Sequence, residues 1–401
     1  MRRLSAILAL AVLAAALAGC GGRFQLPTER RVLVIPGDKS YQMVATWTGM
    51  DGIRDLLLTQ GAGTQLFLLF NHGGVGTAPR GEVLAYARLK PSGPQNPIPG
   101  VTFNGLFNPA ALCAGGDGAG NAMNRVYVLD QGDTLLARVN PITHVYGDST
   151  GLIAPDTSLI GKWRPPNVSD LGLYWRVREY GLLGGDTIST FTDTSMAFVS
   201  GVAADAQGRI YLSGPLLAFV HDLMAPSVTT RTTLWRVNRY VRGPKYPGVY
   251  DKYMPGCNWH KDTTFVVLDG SGTGTVEDPR GLYWGSNGPA LYVTDYGKNW
   301  VQRLMDEVPV AGFKMDQAEG LTLLAPTDVT ADLQGFCYFT DTGNQRVLRF
   351  DASGTYVQTV NIEKDVFGRQ LLSPITVAAD DSLVFVGDAG LGEVLRYKRR
   401  R

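Results

Sequence analysis

A short motif that recurs along the chain limits its fold more than any other feature. Each copy begins with a β-rich run that ends in Asp, continues through a Gly-containing turn, and reaches an Arg eight residues after the Asp. The pairs are Asp130–Arg138, Asp295–Arg303, Asp341–Arg349 and Asp388–Arg396. The last three copies recur at intervals of about 40–50 residues, a period typical of proteins built from one repeated unit. The repeat therefore decides the fold class, although not the function.

Each repeat contains four short runs with the alternation and the β-branched and aromatic content of strands. In the fifth unit these runs are 327–331, 336–340, 346–350 and 356–360. Four antiparallel strands per repeat are typical of a propeller blade. Six first strands are predicted, and they begin near Ile53, Pro109, Ser200, Pro279, Ala325 and Ser373. The predicted fold is therefore all-β, a six-bladed β-propeller of four-stranded antiparallel blades.

The last blade stops after its third strand, at Tyr397, so its fourth strand must come from elsewhere. Two β-rich segments, 31–35 and 41–47, precede the first blade. We predict that an N-terminal strand closes the ring, because closure removes an exposed sheet edge and ties the two chain ends together.

The repeated Asp-x-Gly lies in the predicted turn between the second and third strands. In the favoured interpretation the carboxylate accepts backbone N–H bonds and the Gly supplies a positive φ. The alternative is a ring of metal-binding acids. Turn capping predicts that Asp341→Ala lowers stability by about 0.5–2 kcal/mol. The Arg is predicted to lie on the third strand, either solvated or in an ion pair between blades.

Residues 341–347, Asp-Thr-Gly-Asn-Gln-Arg-Val, resemble the signature of NHL-repeat proteins. Residues 202–212 resemble that family's passage from the first strand to the second. The resemblance is strong in blades four to six, partial in blades two and three, and weak in blade one. It implies a propeller over residues 40–397. Because the family includes scaffolds, sensors and a few enzymes, it does not imply one function.

The N-terminus predicts a bacterial lipoprotein signal peptide over residues 1–19. Met1-Arg2-Arg3 is positively charged, residues 4–17 are almost wholly apolar, and Leu17-Ala18-Gly19-Cys20 resembles the lipoprotein cleavage box. The resemblance implies cleavage before Cys20 and attachment of lipid to its thiol. A plain secretory signal with a chance cysteine is the alternative.

Under this interpretation residues 20–30 are the lipidated Cys and a polar tether, and residues 31–401 are the propeller. We expect an extracytoplasmic protein anchored to a membrane, the outer membrane if the host is Gram-negative. No other run is long and apolar enough for a transmembrane helix. The net charge of +1 suggests no nucleic-acid partner. The remaining cysteines, Cys113, Cys257 and Cys337, are an odd number, so no disulfide is assigned.

The four histidines are predicted to divide between the two faces. His72 and His221 follow second strands, whereas His144 and His260 are placed after third strands. A three-histidine zinc site, as in the amidating-lyase relatives of NHL proteins, is therefore not supported. The candidate catalytic group left open consists of His72, Arg80, His221 and Asp222. Exposed side chains without a catalytic role are the favoured alternative.

Lactonase and strictosidine-synthase-like propellers also resemble this chain in their blade pattern. The resemblance implies a divalent cation held by an axial Glu and by Asn or Asp of inner strands, as in their gluconolactonase relatives, but no Glu lies at any of the six first-strand entries of this chain. Asp55 and Asp328 are the candidates for such a role here, and a turn or strand-edge role is the alternative. No cofactor and no metal ligands are predicted, although a divalent cation is left open.

Two insertions rich in aromatic residues are predicted to follow the third strands of blades two and three, at 140–176 and 238–262. Aromatic loops with interspersed Arg and Asn suit recognition of a protein or glycan. The candidate binding residues are Trp163, Trp175, Tyr246, Tyr250 and Trp259. The alternative is that these side chains pack the loops themselves.

The favoured hypothesis is a non-catalytic binding or scaffold module that recognises a protein or glycan in the cell envelope. The alternative hypothesis is a metal-dependent hydrolase or lyase with its site at the mouth of the propeller channel.

Overall fold

The computed structural model describes residues 41–59, 65–72, 81–87, 97–119, 121, 123–131, 175–193, 195–196, 199–221, 229–243, 258–285, 289–305, 308–313, 322–361 and 368–400. Within these residues the chain forms six small sheets arranged as six blades. None of the described residues forms a helix with the length and apolar character of a membrane span.

The first strand along the chain, β1 (Tyr41–Thr48), belongs to the sheet of the last blade. Blade one contains β2 (Ile53–Leu58), β3 (Gln65–Asn71) and β4 (Gly81–Ala87). Blade two contains β5 (Thr102–Phe103), β6 (Pro109–Gly115), β7 (Arg125–Asp130), β8 (Arg176–Gly181) and β9 (Gly184–Phe191). Blade three contains β10 (Gly201–Ala204), β11 (Ile210–His221), β12 (Thr229–Arg242), β13 (Trp259–Asp269) and β14 (Thr275–Val276).

Blade four contains β15 (Pro279–Gly285), β16 (Ala290–Asp295), β17 (Trp300–Met305) and β18 (Val308–Phe313). Blade five contains β19 (Pro326–Ala331), β20 (Cys337–Asp341), β21 (Arg346–Phe350) and β22 (Tyr356–Thr359). Blade six contains β23 (Pro374–Ala379), β24 (Leu383–Asp388), β25 (Glu393–Arg399) and the N-terminal β1. The predicted all-β, six-bladed propeller is confirmed.

The six first strands surround a central channel. They are β2, β6, β10, β15, β19 and β23, and each contacts the first strand of the next blade around the closed ring. Each begins within one residue of its predicted position. An aromatic side chain lies three residues before the repeated Asp on the second strands and packs between blades. In blades two, four, five and six it is Tyr127, Tyr292, Tyr338 and Phe385, each at most 1% exposed.

The N-terminal strand closes the ring, as predicted. β1 pairs antiparallel with β25, from Tyr41 opposite Arg399 to Thr48 opposite Glu393. Trp47 is buried against the aromatic rings of Tyr86 and Phe385. The other candidate segment, 31–35, lies outside the described residues.

A hydrogen-bond chain also ties β1 to blade five. The hydroxyl of Tyr41 lies 2.9 Å from that of Tyr338, which donates in turn to Asp332 Oδ2 at 2.9 Å. Because Tyr338 already donates to the carboxylate, Tyr41 is the donor in the first bond. The closing strand is therefore fastened to two blades.

The prediction for the third strand of blade two is wrong. The strand that pairs with β7 is β8, with Asp130 opposite Arg176 in the register. Asp130 Oδ2 lies 3.4 Å from Arg176 Nε and 3.1 Å from Arg178 Nε. The place assigned to Arg138 is taken by Glu179, which lies opposite Tyr127 as Arg349 lies opposite Tyr338 in blade five. The insertion therefore joins the second strand to the third, and its ends lie on the opposite face from the one predicted. The inserted residues 132–174, which include Arg138 and His144, lie outside the described residues.

In blade three the described residues on either side of the insertions belong to long strands. β11 and β12 continue as one antiparallel hairpin from Ile210 opposite Tyr240 to His221 opposite Thr229. The predicted insertion at 238–262 begins within β12 and ends within β13, which places His260 on the fourth strand.

The repeated Arg of the third strand has no common role. Arg349 is 1% exposed, with its guanidinium 3.6 Å from the ring centroid of Phe336 in its own blade. Arg303 donates to Ala352 O of the next blade at 3.2 Å. The predicted solvated or ion-paired Arg is therefore wrong for Arg349, which is held by aromatic packing.

Candidate functional site on the entry face and in the channel

We call the face on which the first strands begin and the second strands end the entry face. The repeated carboxylates that lie there, Asp130, Asp295, Asp341 and Asp388, are 0% exposed. Asp341 accepts the N–H of Leu324 at 2.7 Å and pairs with Arg346 Nε at 2.6 Å. Each carboxylate thus joins the turn after the second strand to the loop that enters the first strand of the same blade.

Asp388 shows the arrangement most fully. Its carboxylate accepts four backbone N–H groups at 2.7–3.0 Å, from Leu372, Ser373, Gly390 and Leu391. These contacts agree with the turn interpretation of the motif and add a second function, which is to fix the entry loop.

The Gly of the Asp-x-Gly motif does not have the positive φ predicted for it. Positive φ values belong to the residue two positions later, at Asn299 (53°), Gln345 (55°) and Gly392 (63°). A Cβ atom on Gly343 would lie 2.5 Å from Leu324 Cγ, and one on Gly390 would lie 2.8 Å from Leu372 Cβ. The glycine is therefore needed for space beneath the entry loop.

Two leucines on this loop are about half-exposed. Leu324 is 47% exposed and Leu372 is 50% exposed, and each lies two residues before the Pro that begins a first strand. Their backbone N–H groups are fixed by Asp341 and Asp388 at 2.7 Å. The repeat thus presents an apolar side chain from a rigid backbone in two adjacent blades.

Blade four adds an aromatic side chain to this face. Tyr296 follows the motif's Asp295 and is 41% exposed. The guanidinium of Arg280 lies 4.8 Å from the Tyr296 ring centroid and is held by a two-point ion pair with Asp278 at 2.9 and 2.7 Å. Blades four to six therefore present Tyr296, Leu324 and Leu372 on the entry face.

The central channel contains a cavity of about 210 Å³ lined by the first strands of all six blades. Much of its wall is aliphatic and includes Leu56, Leu112, Val202, Leu282, Val329 and Val377. Two guanidinium groups, those of Arg54 and Arg280, line it at the second residue of β2 and of β15, towards the entry face.

A carboxyl–hydroxyl–carboxyl cluster lies in this wall. Thr376 Oγ1 is 2.8 Å from Asp55 Oδ1 and 2.9 Å from Asp328 Oδ2. Burial, reinforced by the charge of Asp328, raises the pKa of Asp55 well above its usual range. Burial raises the pKa of Asp328 to about 6. Both carboxyls therefore titrate far above ordinary aspartates.

Asp55 and Asp328 were candidates for holding a divalent cation. Their oxygens instead accept backbone N–H bonds, which Leu56 and Leu112 donate to Asp55 and Val329 and Val377 donate to Asp328. Among the residues that the structure describes, no group of three or more His, Cys, Asp or Glu side chains is placed to hold a metal ion. These contacts fit the alternative interpretation, in which the two carboxylates serve the edge of a strand.

The thiol of Cys113 lines the same channel. Burial and the nearby Asp55 raise its pKa well above the usual range, so it stays a protonated thiol.

The predicted group of two histidines, Arg80 and Asp222 is only partly described. His72 is half-exposed, its Nε2 lies 3.0 Å from Glu82 Oε1, and its ring stacks on Phe70. His221 ends β11, but its side chain, Arg80 and Asp222 lie outside the described residues. His260 donates its Nδ1 hydrogen to Gly243 O at 2.8 Å.

Of the predicted aromatic binding residues, two are buried. Trp175 is 4% exposed and donates its Nε1 hydrogen to Met196 O at 3.1 Å. Trp259 is 1% exposed and lies between the Phe191 ring and the Arg242 guanidinium. These positions agree with the packing alternative and leave little surface for a ligand. Trp163, Tyr246 and Tyr250 lie outside the described residues.

Comparison with known proteins gives matches in structure but none in sequence. No protein-family model matches the sequence, and no curated protein matches it. Virginiamycin B lyase from Staphylococcus aureus matches in structure with a TM-score of 0.45 and 9% identity, over 90% of this chain and 99% of that chain. A chain of a nidogen/laminin complex matches with 0.40 and 13%, over 86% and 89%. A luciferin-regenerating enzyme matches with 0.43 and 13%, over 88% and 95%. These likenesses carry no argument about function.

Proposed function

We propose that this chain is an envelope-anchored lipoprotein of the NHL type whose propeller binds a protein partner through its entry face, without catalysis. The observation that carries the proposal is the exposure of Leu324 and Leu372 on backbone fixed by Asp341 and Asp388. Rigid presentation lowers the entropy that a binding surface loses on association.

The composition of this face favours a protein over a glycan. Aromatic residues and Arg are enriched at protein interfaces, and Tyr296 with Arg280 supplies both on the same face as the leucines. A leucine side chain has neither a hydrogen-bonding group nor an aromatic face to offer a sugar. An apolar side chain of a protein partner is therefore the better match, and glycan binding is the outcome that would redirect the proposal.

The leucines can be tested directly. The double variant Leu324→Asp/Leu372→Asp places two charges in the proposed interface, and the loss of two anchors at more than 1 kcal/mol each predicts affinity lower by about 30-fold or more. Protein that co-purifies with the tagged chain after mild detergent extraction should be lost from this variant.

The matched control is Leu333→Asp. Leu333 is also 50% exposed, but it lies in the turn between β19 and β20, on the opposite face. Equal retention of the partner by both variants, with both still folded, would exclude the entry face.

The anchor has its own test. Cys20→Ala removes the thiol that would carry lipid, so the chain should move from the membrane fraction to the soluble fraction. Mass spectrometry of the parent should show the added mass of lipid. Unchanged partitioning together with an unmodified parent mass contradicts the lipoprotein proposal but leaves the entry-face proposal standing.

A second function, a hydrolase or lyase acting at the channel mouth, is favoured by one observation. Asp55 and Asp328 line the cavity with raised pKa values, and carboxyl groups of this kind act as general acids and bases. Metal analysis of the purified chain separates the metal-dependent form of this hypothesis from binding alone, because only the former requires a stoichiometric divalent cation.

A further inference from the structure

The cluster of Asp55, Thr376 and Asp328 lies where the ring is closed. The three residues occupy the same position on the first strands of blades one, six and five, two residues after the strand begins. Blade six is the blade that β1 completes. The cluster therefore lies on the channel side of blade six and its two neighbours, and blade six is the blade whose outer strand, β1, closes the ring.

Each member of the cluster is bonded to the next blade. The innermost strand of a blade is a sheet edge, and its inward N–H groups need partners. The side chains supply these: Asp328 accepts from Val377 at 2.8 Å, Thr376 from Leu56 at 2.9 Å, and Asp55 from Leu112 at 2.7 Å. Blades five, six, one and two are thus joined around the channel.

In all six first strands the equivalent position comes directly before an aliphatic residue of the channel wall, and in the other three blades it is occupied by Ala111, Gly201 and Gly281. A Cβ on Gly201 would lie 2.2 Å from Arg280 O, and one on Gly281 would lie 2.6 Å from Thr327 O. The backbones of adjacent blades approach too closely there for a side chain. Among the described residues, polar side chains at this position therefore link neighbouring first strands only on the side of the ring that β1 closes.

The number of hydrogens at Thr376 limits the charge of the cluster. Its hydroxyl has one hydrogen to donate and two lone pairs. Leu56 N–H occupies one lone pair, while a carboxyl oxygen of Asp55 and one of Asp328 lie at 2.8 and 2.9 Å. If both carboxyls were ionised, Thr376 could donate to only one, and the other oxygen would face a lone pair. With one proton on the pair, all three contacts are hydrogen bonds.

We propose that Asp55 and Asp328 share one proton through Thr376, and that release of this proton loosens the contacts among blades five, six and one. The propeller would thus carry a pH-sensitive switch beside the strand that closes it. Release leaves two like charges on either side of one hydroxyl, in a channel wall that is largely aliphatic.

The two carboxyls have backbone N–H partners but no ion-pair partner among the described residues. The other titratable or charged groups in the channel lining are Arg54 on β2, Cys113 on β6, and Arg280 and Tyr283 on β15. Arg280 is held by Asp278, and no described cation forms an ion pair with Asp55 or Asp328. The lining residues of β10 and β23 include no charged group.

The sign of the effect follows from the folded and unfolded pKa values. Unfolded aspartates release their protons near pH 4. In the folded chain burial raises the pKa of Asp328 to about 6 and that of Asp55 well above its usual range. The stabilisation from proton binding is therefore complete below about pH 4, begins to be lost as pH rises through about 6, and is lost in full only above the raised pKa of Asp55.

The test uses the full chain in detergent and measures melting temperature from pH 5 to pH 8 for the parent and for Asp328→Asn. In the variant, the amide supplies permanently the hydrogen that the shared proton supplies in the parent. We expect the decrease in melting temperature across this range to be smaller in the variant by about 3–5 °C. The same slope in both proteins would overturn the proposal.

Two variants of Thr376 serve as controls, and infrared spectroscopy gives a direct readout of the protonated carboxyl. Thr376→Ser keeps the hydroxyl and should keep the parent's pH slope, whereas Thr376→Val removes it and should change the slope. Infrared difference spectra of the parent should show a protonated carboxyl band at pH 5 that weakens as pH rises, and the band should be weaker in Asp328→Asn, which retains only the Asp55 carboxyl. If Asp328→Asn does not fold, the Thr376 pair and the parent's band decide. Absence of that band from the parent at pH 5 also overturns the proposal.

Discussion

A chain that lacks β1, residues 41–48, is expected to aggregate or to unfold far below the melting temperature of the parent. The deletion removes the whole ladder against β25 and the buried side chains of Tyr41 and Trp47. Losing one large buried aromatic residue costs about 3–5 kcal/mol, and folded domains are stable by only about 5–15 kcal/mol. It also exposes β25 as an unpaired edge, which favours association with other chains.

The matched control is deletion of residues 23–30, an equal length of the predicted tether. Circular dichroism melts and sedimentation velocity should show a cooperative, monodisperse control and an aggregated or unfolded β1 deletion. Equal melting temperatures for the two deletions would mean that another segment closes the ring.

Asp388→Ala should be the most destabilising single change among the repeated aspartates, at about 3–5 kcal/mol. The carboxylate is 0% exposed and accepts four backbone N–H groups, which would lose their common partner. Asp295→Ala should cost slightly less, because three backbone N–H groups bond to Asp295. Both values exceed the range expected from the sequence for a turn cap.

Chemical denaturation measures this effect, with Asp186→Ala as the control. Asp186 accepts one exposed hydrogen bond from Asn104 at 3.3 Å, so its loss should change stability by less than about 0.5 kcal/mol. A cost for Asp388→Ala as small as that of the control would show that the buried carboxylate does not hold the entry loop.

The sequence predicted the ring well because a propeller repeats its local signals. The first strands and the closing strand follow from alternation and from an unpaired final blade. Blade two was misassigned because Asp130 and Arg138 have the repeat's spacing by chance, whereas the third strand that pairs with β7 begins at Arg176, beyond a long insertion. Spacing along the chain does not show which strand pairs with which.

The candidate sites were harder to predict. Asp55 and Asp328 were recognised as candidates, but Thr376 joins them from a third blade, 321 residues from Asp55 in the chain. Leu324 and Leu372 were missed because their exposure depends on how the Asp turn holds the entry loop. Their signal in the sequence is an apolar residue two positions before a strand-initiating Pro in consecutive blades.

The central claim is that the entry face binds a protein, and photo-crosslinking in living cells tests it most directly. A photoreactive amino acid is placed at position 324, 372 or 333, all about half-exposed in the parent. We expect the same discrete protein adduct from positions 324 and 372 and none from position 333 on the opposite face. No adduct from positions 324 and 372, or the same adduct from all three, would contradict it.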